Sequence, residues 1–218
     1  MTSLFPDNAI ELSHIENGLN VCGVDEVGRG SWAGPLVMSA VVPGEGTVEG
    51  VRDSKKISQK KRETLDVAIR QWAKAIGLGI VTNDEIDQWG MSRALNVCAQ
   101  RAIEDIESQG YEVNHVLLDG HYDFIRQKRL SVETIVKGDN VSHVIAAASI
   151  IAKVYRDTYM ASSEVAGKYS AFCFEKNKGY PSPVHKQALK DLGPTPLHRI
   201  SWDIFGDSFS NNVQEVLI

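Results

Sequence analysis

Hydrophobic positions along the chain fall into two patterns. The first is a short apolar run bounded by turn residues, which predicts a buried strand. Such runs lie at 19–24, before a charged and glycine-rich stretch, and at 35–42, before Pro43 and Gly44. Others lie at 77–81, at 115–118 before Asp119-Gly120, and at 131–136 before Lys137-Gly138-Asp139. The second pattern is apolar recurrence at three and four residues, which predicts a helix with one buried face. Ser58 is placed to cap a helix whose face is Leu65, Ala68, Ile69, Trp72, Ala73 and Ile76. A further helix over 92–108 carries Leu95, Cys98, Ala99, Ala102, Ile103 and Ile106 on one side. The stretch 141–160 predicts a long helix. Its first half is crowded with small residues, Ala146-Ala147-Ala148-Ser149, which let a helix approach another backbone closely. From Gly167 onward the chain is rich in turn signals and is expected to wrap the core. Strands mixed with helices imply an α/β layered domain, and the pattern leaves strand order open.

Three predicted strands meet acidic residues beside glycine: Asp25-Glu26 before Val27-Gly28-Arg29-Gly30, then Asp119-Gly120, then Gly138-Asp139. Ligand sites of α/β sheets lie at strand ends. A lone strand-end Asp is usually a turn former or a cap; three such ends with four carboxylates point to a site. Clustered carboxylates repel one another unless hard cations with a preference for oxygen neutralise them. Two such ions about 4 Å apart activate a water and stabilise the leaving oxygen of a phosphodiester. No His or Cys cluster competes in the sequence, so Mg2+ or Mn2+ is the expected cofactor. Adjacent residues of a strand point to opposite faces, so Asp25 and Glu26 are expected to share a site only through a turn, which Gly28 and Gly30 permit. The glycines 28, 30 and 34 have GxGxxxG spacing, not GxGxxG, and a strand follows them. A dinucleotide loop is therefore disfavoured.

Composition narrows the picture. The chain has 218 residues, 43% hydrophobic and 23% charged, which suits one globular domain. Its amino terminus lacks the pattern of a signal peptide, and the longest strongly apolar stretch, 144–152, is too short to span a bilayer. Cys22, Cys98 and Cys173 show neither a disulfide framework nor zinc spacing, which predicts a reducing cytoplasm. The net charge of −5 argues against nucleic acid, but the local distribution argues for it. Residues 52–62, RDSKKISQKKR, form a basic run. Residues 168–190 interleave lysines with Tyr169, Phe172, Phe174 and Tyr180, and aromatics among lysines suit stacking on sugars or bases. Acidic residues collect in 84–112.

These residues resemble the ribonuclease HII family, the type 2 ribonucleases H. The similarity runs from about Val21 to Trp202. It rests on VDEVGRGSWAGPLV, Asp53-Ser54-Lys55-Lys56, Leu118-Asp119-Gly120, Lys137-Gly138-Asp139, AASIIAK at 147–153, Arg156-Asp157, Lys178-Gly179-Tyr180 and His198-Arg199-Ile200-Ser201, in that order. The resemblance implies an α/β ribonuclease H-like fold, a central mixed β-sheet flanked by helices, with a C-terminal extension that contacts substrate. It implies catalytic metal ligands at Asp25, Glu26, Asp119 and Asp139. It also implies recognition of the ribonucleotide by Gly28, Arg29, Gly30 and Tyr180. The implied reaction is endonucleolytic hydrolysis of the RNA strand of RNA/DNA hybrids and cleavage 5′ of ribonucleotides embedded in duplex DNA, leaving 3′-hydroxyl and 5′-phosphate ends.

Reading a 2′-hydroxyl, which is both donor and acceptor, separates RNA from DNA, and a glycine loop brings backbone groups close enough to do it. Lys55, Lys56, Lys178 and Arg199 are the expected phosphate contacts, which position without specifying. Asp157, near Lys153 and Arg156, is expected in a structural ion pair. Ser31-Trp32, Phe172-Cys173-Phe174 and Ser182 depart from the usual family pattern and bear on substrate preference rather than on the chemistry. The expected organisation is an N-terminal segment 1–18, a catalytic domain 19–207 and a solvent-exposed tail 208–218, acting as a monomer. Rival readings are an exonuclease or strand-transfer nuclease of related fold, for which Asp-x-Glu spacing is expected, and a non-catalytic binding module, which four carboxylates would handicap.

Overall fold

The computed structural model describes residues 6–204; the tail at 208–218 lies outside the described residues. Five strands form one sheet: β1 (Val21–Val27), β2 (Leu36–Val42), β3 (Ala75–Val81), β4 (His115–Asp119) and β5 (Ser131–Ile135), in the order β3-β2-β1-β4-β5. β1 with β2 and β2 with β3 are antiparallel, whereas β1, β4 and β5 run parallel. The sheet is therefore mixed, with the carboxyl ends of β1, β4 and β5 along one edge.

Alternation along the strands fills two cores. Cys22, Val24, Leu36, Met38, Val116 and Leu118 face α4 (Met91–Ser108), whose buried side is the expected Leu95, Cys98, Ala99, Ala102, Ile103 and Ile106. Val21, Val41 and Leu117 face α5 (His143–Ala161) and α2 (Gln59–Trp72). Ala146, Ala147 and Ala148 of α5 are fully buried in this core, and the start of the helix is admitted by a glycine of β1. A Cβ built on Gly23 of β1 would stand 2.7 Å from the backbone carbonyl carbon of Val144. The helix thus lies directly on the strand that carries Asp25.

Most expected elements are present, with instructive differences. The Ser58 side chain caps α2 by accepting from the Lys61 N–H, but α2 stops at Trp72, and Ile76 belongs to β3. Seven paired positions with β2, Leu36↔Val81 through Val42↔Ala75, claim that stretch, and strand pairing overrides a helical spacing that both conformations satisfy. Four helices were not expected, two of them in the C-terminal portion. α1 (Ala9–Glu16) lies in the segment thought to precede the domain; it docks through Glu11, whose carboxylate accepts from the Val144 N–H at 2.9 Å. α3 (Asn83–Trp89) begins with a reciprocal capping box between Thr82 and Glu85, inside the acidic stretch.

The C-terminal portion wraps the core as expected but also builds a small core of its own. α6 (Phe174–Asn177) and α7 (Pro183–Leu192) enclose Ala33, Met160, Val165, Phe172, Phe174 and Leu189. Phe172 and Phe174 stack on each other at 5.4 Å and are 3% and 0% exposed, so they do not offer faces to a nucleic acid. Beside them the buried His185 and His198 share a hydrogen bond of 2.9 Å between their Nε2 atoms.

Candidate active site

The four acids converge at the carboxyl edge of the sheet. Asp25 and Glu26 are on β1, Asp119 ends β4, and Asp139 sits on a 3-10 turn, Gly138–Asn140, just after β5. The expected turn at Asp25-Glu26 is absent. β1 continues through both residues, pairing Asp25↔Ser39, Glu26↔Met38 and Val27↔Val37 with β2. Their side chains do take opposite faces, yet both line one cleft of about 310 Å³ with Ser54, Lys55, Ser149, Lys153 and Tyr180. The reason is the edge itself. Parallel pairing of β1 with β4 ends at Val24↔Leu118, so the last residues of β1 project past β4 and are reached from either side.

Each carboxylate is held from behind. Asp119 accepts from the Gly138 N–H at 2.6 Å, which ties the end of β4 to the turn carrying Asp139. Asp139 accepts from the Asn140 side chain at 2.6 Å. Asp25 accepts from the Glu26 N–H at 2.7 Å and from Ser149, whose hydroxyl is 2.9 Å from that of Ser54. Arg29 approaches Glu26 at 3.8 Å.

The electrostatics register the crowding. Burial, then Glu26 and Asp119, pushes the Asp25 carboxyl well above its ordinary range. Burial raises Glu26, with Arg29 opposing and Asp119 adding to the shift. Burial, then Asp53 and Asp119, pushes Asp139 up to about 6. Burial alone would pull the Lys55 ammonium down, but Asp25, Asp53, Asp139 and Asp119 together hold it above its ordinary value. These are the signs of a charge cluster that lacks enough positive charge, and its donors are all oxygen. Hard divalent cations fit that set.

Beside the acids, the glycine loop and the tyrosine meet. The Tyr180 hydroxyl accepts from the Gly28 N–H at 3.1 Å. Gly28 has φ +91°, and a Cβ there would lie 2.4 Å from Arg156 Nε and 2.7 Å from the Pro35 carbonyl oxygen, so only glycine fits. Gly30 differs: nothing lies within 4 Å of its Cβ position and its φ is not left-handed, so it faces open space without backbone strain.

Two expected phosphate contacts are corrected. Arg199 is 0% exposed and donates to the carbonyls of Arg29 and Gly34, both at 3.0 Å. Burial pulls its guanidinium down to about 9. It braces the loop from inside and cannot meet a phosphate. Lys178 is 8% exposed, and its ammonium donates to the Glu175 carbonyl at 2.7 Å, so its charge is turned into the C-terminal segment. Lys55 and Lys56 remain exposed at the rim, where Lys56 donates to the Asn140 side chain.

Asp157 pairs with Lys153 at 2.7 Å and stands 3.8 Å from Arg62, a structural ion pair as expected. Arg156 turns away from it. The buried Arg156 guanidinium donates to Pro35 O, Lys178 O, Ser31 Oγ and Ala33 O at 2.7–2.9 Å, locking the glycine loop to the Lys178–Tyr180 segment. No sequence signal marks this role, because the partners, three carbonyls and the Ser31 hydroxyl, are distant in the chain. Ser149 and Lys153 were also missed as cleft residues. Their block reads as a helix interior until α5 is laid against β1.

Comparison with known proteins places the chain among ribonucleases. The sequence model of the family described as Ribonuclease HII matches residues 22–204. A ribonuclease HII of Streptomyces avermitilis is 44% identical over 183 residues, covering 84% of this chain and 76% of the relative. One from Caulobacter vibrioides is 38% identical over 198 residues, 90% of each chain. The crystal structure of the ribonuclease H2 from Pyrococcus horikoshii superposes with a TM-score of 0.69 at 29% identity, covering 85% of this chain and 94% of that one.

Proposed function

The chain belongs to the ribonuclease HII family, and on that premise we propose that Asp25, Glu26, Asp119 and Asp139 are its catalytic acids and metal ligands. The protein is a divalent-metal-dependent endoribonuclease that hydrolyses the RNA strand of RNA/DNA hybrids. The observation that supports the assignment is the convergence of these four carboxylates at one sheet edge, with three of them pushed up by burial and mutual repulsion.

The reading takes two ions of Mg2+ or Mn2+ as the cofactor. When bound, such ions supply Lewis-acid stabilisation of the phosphodiester and a nucleophilic water at neutral pH. The chain's own residues do the remainder. The four carboxylates hold the positive charge at the edge, and the Gly138 N–H and the Ser149 hydroxyl keep Asp119 and Asp25 oriented. Gly28, Arg29, Gly30 and Tyr180 read the ribose at the cut. The open space at Gly30 and the contact between Tyr180 and Gly28 support that role, since a 2′-hydroxyl needs backbone groups at close range. Lys55 and Lys56 contact phosphates from the rim. Cleavage 5′ of a ribonucleotide embedded in duplex DNA, with 3′-hydroxyl and 5′-phosphate products, is carried into the proposal by membership of the family. Among the described residues no helix is long and apolar enough to cross a membrane. Three free thiols suit a reducing compartment, the cytoplasm, and the proposed working form is a monomer.

The test is cleavage of an end-labelled duplex with one internal ribonucleotide, with Mg2+, with Mn2+ and with chelator. A single internal cut, abolished by chelator and reduced by about a hundredfold or more in Asp119→Asn, is expected. A ladder from one end, or near-normal turnover of Asp119→Asn, would contradict the assignment.

A further inference from the structure

At the opposite end of β4 from Asp119, three side chains converge that the nuclease reading does not use. His14 comes from α1, His115 opens β4 and Glu133 is on β5. His14 Nε2 stands 2.8 Å from Glu133 Oε2, and His115 Nε2 stands 3.8 Å from the same oxygen. The two imidazole centroids are 4.1 Å apart. One ligand atom from each residue lies within 4.8 Å of the others, and among the described residues this is the one such group of His, Cys, Asp or Glu side chains. The catalytic acids are spread more widely, as a site for two ions about 4 Å apart requires.

His115 is the telling member. It is 4% exposed, and neither ring nitrogen has a hydrogen-bond partner among the described residues. A neutral imidazole has one N–H to give and one lone pair to fill, and burying both without partners is costly. An apolar side chain would fill the same position in the sheet without that cost. Burial, then the neighbouring His14, lowers the His115 pKa, so the ring stays in the neutral form that binds metals. The His14 and Glu133 side chains are 25% and 43% exposed, which leaves the group open to solvent on one side.

We propose that His14, His115 and Glu133 form a binding site for one divalent transition-metal ion of the zinc class, separate from the catalytic carboxylates. Two imidazoles and a carboxylate are a zinc donor set, with a fourth position left for water. Mg2+ and Ca2+ prefer all-oxygen sets and are poorly served here. Four residues of strand, about 13 Å, separate His115 from Asp119, so the two sites do not share ligands. His14 lies outside the stretch matched by the family, residues 22–204, so the site uses a residue the family pattern does not include. The inference does not rest on the nuclease reading. Its consequence is mechanical: the ion clips α1 to β4 and β5. That helix carries Glu11, which accepts from Val144 N–H, and follows Asp7, whose carbonyl accepts from His143 N–H at 2.8 Å. Both contacts fix the start of α5, directly after the turn that presents Asp139.

The test uses the full chain, stripped with chelator and then held in millimolar Mg2+ so that the carboxylate site is supplied. Zn2+ is titrated by calorimetry, and metal content is measured after gel filtration. The expected result is one equivalent of zinc that excess Mg2+ does not displace, with a rise in melting temperature. His14→Ala and Glu133→Gln should each weaken that binding by about tenfold or more, while their circular dichroism and their Mg2+-supported cleavage stay unchanged. Substituted Co2+ should show the visible absorption of a tetrahedral imidazole site in the wild type and lose it in both variants. Both substitutions are at solvent-accessible side chains, so the test does not depend on the buried His115→Ala folding. Equal zinc uptake by the wild type and both variants, or no uptake in Mg2+, overturns the proposal.

Discussion

Asp139 is poised near pH 6 by burial and by the charges of Asp53 and Asp119, and this has a consequence for stability. A carboxyl whose folded pKa is raised favours the fold when protonated. Its contribution is full below the unfolded value near 3.8 and is lost as pH rises through about 6. In metal-free protein, Asp139→Asn should therefore be more stable than wild type at pH 8, by about 1 kcal/mol after allowing for solvent screening. The gain should vanish toward pH 4. Urea melts at the two pH values in chelator measure it, and an equal difference at both would show that charge repulsion is not its source. Tyr180 makes a different kind of prediction. Tyr180→Phe removes the hydroxyl that accepts from Gly28 N–H, a loss of about 1 kcal/mol, and keeps the ring. Tyr180→Ala removes both. The alanine variant should lose most kcat/KM on a duplex with one ribonucleotide and less on a continuous hybrid, where neighbouring riboses offer other registers. Equal proportional losses on both substrates would take junction selectivity away from this residue.

At the level of elements, the C-terminal segment acts as a brace. Arg156 and Arg199 both send buried guanidinium groups into the carbonyls of the 28–35 loop, so loop, α5 and C-terminal core are fixed as a unit. The departure at Cys173 lies in this brace. Cys173 joins a short 3-10 turn to α6 with φ 53° and ψ 42°, the left-handed region that glycine enters freely. A glycine at this point would adopt that conformation freely, and cysteine carries the strain. Cys173→Gly should stabilise the protein by about 0.5–1 kcal/mol, the side-chain strain removed less the added freedom of the unfolded chain. A thermal melt checks it, and destabilisation would show that the Cys173 side chain packs better than its backbone angle suggests.

Across the whole molecule, net charge and local charge oppose each other. The chain carries −5 overall, yet Lys55 and Lys56 stand exposed at the rim of an acidic cleft. Duplex binding should weaken with salt, because each neutralised phosphate releases counterions. Replacing both lysines by alanine should flatten the slope of log K against log salt by about 2. Fluorescence anisotropy in Ca2+ reads the slope, and an unchanged value would remove this rim from the interface. Lys178 and Arg199 are not expected to contribute, since their charges are buried.

The sequence by itself determined the parts whose physics is local. Strand ends carrying Asp25, Glu26, Asp119 and Asp139, the Ser58 cap, the apolar face of α4 and the small-residue half of α5 all depend on neighbours within a few positions, and they were legible. Ordered blocks around the acids were specific enough to suggest the family as well. Tertiary structure alone decided what depends on distant partners. The strand order β3-β2-β1-β4-β5 made an edge at which Asp25 and Glu26 share one cleft from opposite faces without the turn that strand geometry seemed to demand. The extension of β3 back to Ala75 was set by pairing with β2. Arg199 and Lys178 looked like phosphate ligands because a basic residue in a polar stretch is usually solvated. They are buried because carbonyls from the loop and from Glu175 need donors, a demand visible only once the chain has folded back on itself. His14, His115 and Glu133 were not singled out for the same reason: more than a hundred residues separate His14 from Glu133, and only the docking of α1 on the sheet brings them together.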